Sequence, residues 1–424
     1  MNYNIAAGMD NSTLNKIISE VYTCIYPNLF KNTIPVGVLN IASVGFDFKS
    51  TPTVNLDPST EIKSQIEDIL KADNLLSTYD LGAEDTSNIV DMVVAASFGI
   101  HAIVDLTISY TNETPTTTVQ ATLNAVSNVQ TSVKDGQNLL TIQAASATIT
   151  TTPANPVLDV LLNQAFIPLL IPYINKEILS PIEIPTLQYH SLKVSLPVPA
   201  VQAPNLVSYS SLGTTQPDIP IPSSWPSNCV FAALDKAALT EAAAIPFPMG
   251  PGAGFDWKIF SGRVEAQVHA PTNIQVNNDG SISASIIVDA LAQLVLHTPW
   301  PLPNVAFGPK AQASLAVTLK PSVENGNVYV AIEGIPIPTF SFYWGIPSVI
   351  NWLFLPLEAG LAAALNAVLG PLIGKVLKFP PIRVFTLPKI SFTLAGKTIN
   401  IAFDKALTSS KNSMLIVASQ LKLN

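Results

Sequence analysis

The chain has 424 residues, of which 48% are apolar and 12% charged, and its net charge is −8. An acidic chain does not neutralise phosphates, which argues against non-specific nucleic-acid binding, and so low a charge content implies unusually extensive apolar burial, an apolar cargo or a membrane. Cys24 and Cys229 stand far apart, which excludes a disulfide framework and a CxxC metal site, and the 35 prolines punctuate a chain too apolar for disorder.

The N-terminal stretch MNYNIAAGMDNST lacks a basic segment followed by an apolar one, so no secretory signal is expected. The expected location is then cytoplasmic, or outside by a non-standard route. Met9–Phe30 follows as a helix, with Leu14, Ile17, Ile18, Val21, Tyr22 and Ile25 on one face, Asp10 or Asn11 as N-cap and Pro27 at the end. Asp57-Pro58 opens a short helix running to Leu70. Residues 98–110 and 116–152 are dense in Val, Ile and Thr and read as strands, with a turn at Asp135-Gly136. A second helix is expected over 156–179. Residues 197–228, with Pro197, Pro199, Pro204, Pro217, Pro220, Pro222 and Pro226, read as a stiff extended connector.

The second half repeats this plan. A short helix at Leu234–Ala242 precedes strands over 257–297 and 310–333, with turns at Asp279-Gly280 and Asn325-Gly326; a long helix over 347–377 closes it. Four patterns recur in order at an offset of roughly 200 positions. Ile34-Pro35-Val36 answers Ile245-Pro246-Phe247, and Gly45-Phe46-Asp47-Phe48-Lys49 answers Gly254-Phe255-Asp256-Trp257-Lys258. Asn163 with Pro168-Leu169-Leu170 answers Asn366 with Pro371-Leu372-Ile373. Pro181-Ile182 answers Pro381-Ile382, with Thr186-Leu187 answering Thr386-Leu387. The expected division is a first domain at 1–196, the connector at 197–228 and a second domain at 229–424.

The long helices carry the functional reading. Gly345–Gly374 contains one charge, Glu358, and is long enough to span a membrane. Pro356, Pro371, Asn351 and Asn366 interrupt it, and its counterpart at 156–179 carries Asp159, Asn163, Gln164, Lys176 and Glu177, so burial suits both better. Two buried arrangements remain open: an ordinary core helix, or a helix sealing an apolar groove in a curved sheet. Small residues interleaved with large ones across Leu361–Leu369 favour the groove, and the prolines let the helix bend along a twisted sheet. In the groove reading the lining residues are Ile17, Val21, Ile25, Leu161, Leu162, Phe166, Leu169, Leu170 and Tyr173 in the first half. Trp352, Leu357, Leu361, Ala364, Leu365, Val368 and Leu372 are their counterparts in the second. Each buried methylene is worth about 0.8 kcal/mol, so a sixteen-carbon chain gains roughly 12 kcal/mol before ordering costs.

The opening helix running into Ile34-Pro35-Val36, the Gly45–Lys49 mark, the proline-kinked helices and their repetition resemble the tubular lipid-binding (TULIP) superfamily, in its two-domain form related to bactericidal/permeability-increasing protein. The resemblance implies an α+β fold of two tandem domains in a boomerang, each a curved antiparallel sheet wrapped on a long helix, with lipid tails held between helix and sheet. It implies a lipid or fatty-acyl partner. Residues 1–212 carry 8 basic against 18 acidic side chains, which argues against lipopolysaccharide as that partner. The basic end (Lys375, Lys378, Arg383, Lys389, Lys397, Lys405, Lys411 and Lys422) reads as a solvated face that could also touch a membrane peripherally.

No catalytic pattern is visible. His101, His190, His269 and His297 are scattered, Gly396-Lys397-Thr398 lacks the first glycine of a phosphate loop, and no GxSxG or HExxH occurs. The expectation is a non-enzymatic protein without metal or cofactor. The alternative is an assembly component with a protein partner, using the same fold with filled interiors.

Overall fold

The computed structural model describes residues 3–57, 97–111, 116–134, 137–179, 182–183, 193–218, 224–243, 253–257, 260–296, 305–307, 310–324, 327–333, 339–343, 362–363, 366–367, 382–386, 390–394, 397–411 and 413–423. Among these residues the fold is mostly antiparallel sheet with few helices, an α+β arrangement that includes a curled sheet. The chain forms two compact units. The first comprises Met1–Ala233, Pro388–Lys405 and Ala418–Asn424; the second comprises Leu234–Leu387 and Ala406–Val417.

The chain opens with β1 (Ile5–Asp10), a strand where only a helix is expected, and then α1 (Asn11–Ile25). Asp10 is the N-cap, accepting from the Thr13 N–H at 3.2 Å. Thr13, Ile17 and Ile25 are the buried face of α1, and Pro27 follows its end. Next come β2 (Lys31–Val38), β3 (Ile41–Phe48), β4 (Thr53–Asn55), β5 (Ser97–Tyr110), β6 (Thr117–Lys134) and β7 (Gln137–Thr152). They form a sheet in the order β2-β3-β5-β6-β7-β8, where β8 is Ile182–Glu183, and β4 adds to β5 beyond the end of β3.

The expected helix at 156–179 is present but broken. It comprises α2 (Pro156–Ala165), α3 (Ile167–Tyr173) and a π-helical turn (Ile174–Ile178), with a bend of 48° after α2. Pro168 accounts for the break: it lacks an N–H to donate, and its ring crowds the carbonyl four residues back. Phe166 accepts from both Leu169 and Leu170 across the joint.

The proline-rich segment 197–228, expected as a stiff extended connector, contributes strands to a sheet. It supplies β9 (Val198–Gln202) and β10 (Asn205–Ser210), a hairpin whose second strand pairs with β1 from Ile5↔Ser210 to Asp10↔Asn205. Alternating burial of Val207 and Tyr209 lets this segment compete for a place in a sheet despite its prolines. β11 (Val230–Leu234) and α4 (Lys236–Ala243) follow; Asp235 accepts from the Ala238 N–H and caps α4.

The second unit holds β12 (Ala253–Trp257), β13 (Phe260–Val268), β14 (Thr272–Val276), β15 (Ile282–Leu296), β16 (Val305–Phe307), β17 (Lys310–Glu324), β18 (Asn327–Glu333), β19 (Ser341–Tyr343) and β20 (Ile382–Thr386). Their order is β12-β13-β15-β17-β18-β20, with β14 and β16 added to β15 and β19 added to β17. Strict alternation along β17 puts Ala311, Ala313, Leu315, Val317 and Leu319 into the core with Ile286 and Val288 of β15. The pairing plan follows that of the first sheet along the main strand order, with β16 having no counterpart among the described strands. β14 shares β15 with β13 as β4 shares β5 with β3; β18 and β19 divide between them the place that β7 holds alone. Ile182 pairs with Leu140 on β7, and Ile382 pairs with Val330 on β18. The Gly-Phe-Asp marks do not match in this order. Gly45–Phe48 lies on β3, which has neighbours on both sides, whereas Gly254–Trp257 lies on β12, at the end of its sheet among the described strands.

The remaining strands are β21 (Ile390–Leu394), β22 (Lys397–Lys411) and β23 (Met414–Leu423). The third sheet runs β21-β22-β23-β11-β1-β10-β9. Lys397 and Thr398 begin β22, so the apparent phosphate-loop ending continues as a strand.

Candidate functional site

In the first unit both helices are tied to strand edges by side chains. Asn15 on α1 accepts from the Val54 N–H at 2.7 Å and donates to the Val54 carbonyl at 2.9 Å; four residues earlier Asn11 accepts from the Leu56 N–H at 3.0 Å. On α2, Asp159 accepts from the Thr151 N–H at 2.8 Å, and Asn163 both accepts from and donates to Ile149, each at 2.8 Å. The spacing is geometric. Four helical residues rise about 6 Å, and two strand residues span about 6.6 Å, so positions i and i+4 reach strand positions j and j−2. Asn175, in the π-helical turn, repeats the two-bond clamp on Ala144 at 2.7 and 3.1 Å. In the second unit Asn366 clamps Phe340, just before β19, at 2.7 and 3.2 Å.

Between the clamped helices and the sheet lies one apolar cluster. It takes Ile25 from α1, Leu158 and Leu162 from α2, Phe166, then Ile167 and Leu170 from α3. Val44, Phe46 and Phe48 of β3, Val104, Leu106 and Ile108 of β5, and Leu123 of β6 face them. Of the expected lining residues, Ile25, Leu162, Phe166 and Leu170 are therefore brought together and almost wholly buried. Val21, Leu161 and Tyr173 touch the same cluster while remaining partly open, as do Tyr22 and Cys24 of α1 and Ile171 of α3. Ile17 is buried on α1, whose Leu14 and Ile18 pack on a second cluster of Val54, Leu56, Phe98, Val129 and Val201. Leu169 differs from expectation. It is 39% exposed, because the helix breaks at Phe166 and α3, with Pro168 in its first turn, presents Ile167 and Leu170 inward instead.

Trp352, Leu357, Leu361, Ala364, Leu365, Val368 and Leu372 lie outside the described residues. Of the expected helix at 347–377 only 362–363 and 366–367 are described, and these are helical, with Ala362 against the second unit's core. The short helix expected from Asp57, and the turns at 135–136 and 325–326, also fall outside. In the basic C-terminal segment only the side chain of Lys411 is described, and it is exposed.

One inward side chain breaks the apolar pattern. Along β6 the buried positions are Ala121, Leu123, Ala125, Ser127 and Val129, so Ser127 shares the inner face. It is fully buried, and among the described residues its hydroxyl oxygen has no hydrogen-bond partner. Leaving such a group unpaired costs about 1–3 kcal/mol. A lone serine in an otherwise apolar alternation was the available sequence signal.

Several polar groups elsewhere are engaged in structure. Asp47 accepts from Lys49 at 2.9 Å and from Tyr26 at 2.9 Å, and Lys31 lies at 3.2 Å. Burial pushes its carboxyl up, but the hydrogen bonds from Lys49, Tyr26 and Lys31 outweigh that and hold it below the ordinary range. Asp289 is likewise held low, chiefly by Gln312, with His269 at 2.7 Å. His101 bonds Asn124 on the neighbouring strand, while His190 and His297 lie outside the described residues. Among the described residues no group of three His, Cys, Asp or Glu side chains could hold a metal ion. Cys229 is buried, which pushes its thiol up to about 11, and Cys24 is half-buried.

No protein-family model and no curated protein matches the chain. Among solved structures it is similar to P47 of Clostridium botulinum E1, at 10% identity and a TM-score of 0.46, covering 99% of each chain. A lipopolysaccharide binding protein also matches, at 10% identity and a TM-score of 0.35, covering 100% of this chain and 99% of that one.

Proposed function

We propose that this chain is a non-enzymatic protein of tubular lipid-binding type, whose first unit holds an acyl chain or another elongated apolar ligand between its helices and its sheet. The observation that carries this reading is a row of half-buried apolar side chains on both helices. Val21, Tyr22 and Cys24 on α1, and Leu161, Ile171 and Tyr173 on α2 and α3, all touch the sealed core and yet remain partly open. Apolar groups in that state lose free energy to water that a hydrocarbon ligand would recover, at about 25 cal/mol per Å² covered. Beyond the short pairing with β8, side-chain clamps hold α2 and the π-helical turn to β7, so the β7 backbone at Ala144 and Ile149 is satisfied by side chains.

The second unit is read as an internal duplicate of the first. The shared order of strand pairing and the recurrence of the asparagine clamp at Asn163 and Asn366 support this.

The test is mass spectrometry of an organic extract of the purified protein, followed by reloading of the delipidated protein with stearic acid. The expected result is co-purified acyl lipid and saturable uptake. Leu161→Trp, filling the space beside a half-buried position, should lower uptake without lowering the melting temperature. A clean extract together with no uptake would end this reading. It would favour an assembly role with filled interiors, for which the near-complete burial of Ile25, Leu162 and Phe166 already speaks.

A further inference from the structure

The inner face of the first unit's sheet carries a stripe of small side chains where three strands meet. Ala102 on β5, Ala121 and Ala125 on β6 and Ala144 on β7 are all buried there. In the same stripe Ser127 pairs across to Phe98 on one side and Ala144 on the other, with a bulge in β7 beside it. These small side chains stand low on the sheet, and among the described residues the buried Ser127 oxygen beside them has no hydrogen-bond partner.

The position of that oxygen is informative. Leu123 and Ala144 belong to the larger apolar cluster between helices and sheet, and Phe98 and Val129 belong to the second one. Ser127 therefore stands where two hydrocarbon environments adjoin, with apolar surface in both directions along β6. A carboxylate at a chain terminus would be desolvated there with only one hydrogen bond to compensate it, which is far too little for a charge. A neutral oxygen within a chain needs one partner and tolerates hydrocarbon on both sides.

We infer that the stripe seats an acyl chain carrying a neutral oxygen along its length, a hydroxyl or a carbonyl, and that Ser127 Oγ is the hydrogen-bond partner of that oxygen. This rests on the acyl-binding reading above and adds the ligand's chemical class and the residue that selects it.

The experiment is competition for the delipidated full-length protein among stearic acid, 12-hydroxystearic acid and 12-oxostearic acid, read by native mass spectrometry. The wild type should prefer one or both oxygenated chains over stearic acid by about fivefold, the worth of one net hydrogen bond; which one is taken tells hydroxyl from carbonyl. Ser127→Ala should bring the three ligands to parity and melt no lower than the wild type. Equal uptake of all three by the wild type, or a preference that survives in Ser127→Ala, would overturn the assignment while leaving acyl binding intact. Failure of all three to bind would remove the acyl-binding reading and this one with it.

Discussion

Asn163 and Asn366 make the same pair of hydrogen bonds, each accepting from and donating to the backbone of a single residue, Ile149 for one and Phe340 for the other. A carboxamide is the side chain suited to this task, because it offers an acceptor and a donor side by side at the spacing of a strand's outward N–H and C=O. It lets a helix lie along a strand without leaving that strand's backbone unpaired.

Asn163→Ala should therefore destabilise the first unit by about 1–3 kcal/mol, since it removes both partners of Ile149 in a part-buried position. Asn163→Asp keeps an acceptor but loses the donor and sets an anion against the Ile149 carbonyl, so it should be no better than alanine. Urea unfolding checks both. A shift in Asn163→Ala smaller than about 0.5 kcal/mol, the scale of ordinary surface changes, would mean that water replaces the clamp at no cost.

Two glycines separate steric need from mere recurrence in sequence. A Cβ on Gly8, in β1, would lie 2.5 Å from the Leu206 carbonyl oxygen, 2.9 Å from Phe231 and 3.1 Å from the Val207 Cα. Backbone atoms of the paired strand cannot retreat without opening the β1–β10 ladder. Gly8→Ala should cost about 1–3 kcal/mol. Gly45 belongs to the recurring Gly-Phe-Asp mark, yet its added Cβ would meet nothing nearer than Thr33 Oγ1 at 3.4 Å. Gly45→Ala should be within about 0.5 kcal/mol of the wild type or slightly stabilising, because alanine loses less backbone entropy in a strand. Thermal melts of the two variants side by side decide the matter; comparable losses would contradict it.

How much of this was legible in the sequence depends on the range of the interactions involved. The face and cap of α1, the long strands β5 to β7 and the presence of a helix after Thr152 follow from local periodicity and capping. The recurrence of Asn163 and Asn366 was legible too, although its meaning was not, since a clamp requires knowing which strand edge lies opposite. β1 was hidden because six residues ending in a helix cap carry too little pattern to stand out from the helix they introduce. The strands within the proline-rich 197–228 segment are hard to read from sequence for a related reason. Pro199 and Pro204 lower strand propensity, but pairing with β1 across six registered positions outweighs it. A continuous helical period across 156–179 predicts Leu169 on the inner face, but the break at Phe166 resets that period. Ser127 was passed over because serine is unremarkable in a Thr/Ser-rich strand until its inward alternation is taken into account.

Acid should probe a charged cluster that shares the first unit's core strands. Asp47 is a β3 residue with a side chain 12% exposed, and it holds Lys31, Lys49 and the Tyr26 hydroxyl together. Its carboxyl is held below the ordinary value near 3.9, so its stabilising contribution is complete above that value and is lost as pH falls through the lower folded-state value. Asp47→Asn removes the charge that keeps the two ammonium groups together, and should cost about 1–3 kcal/mol at pH 7, less at high salt because both lysines are largely exposed. As pH falls through that lower value the wild-type carboxyl protonates and the two proteins should converge. Urea midpoints at pH 7, 4 and 2 measure the gap. A difference that stays constant across that range would show that the substitution acts through packing or through the Tyr26 hydrogen bond alone, and not through the ionised carboxylate.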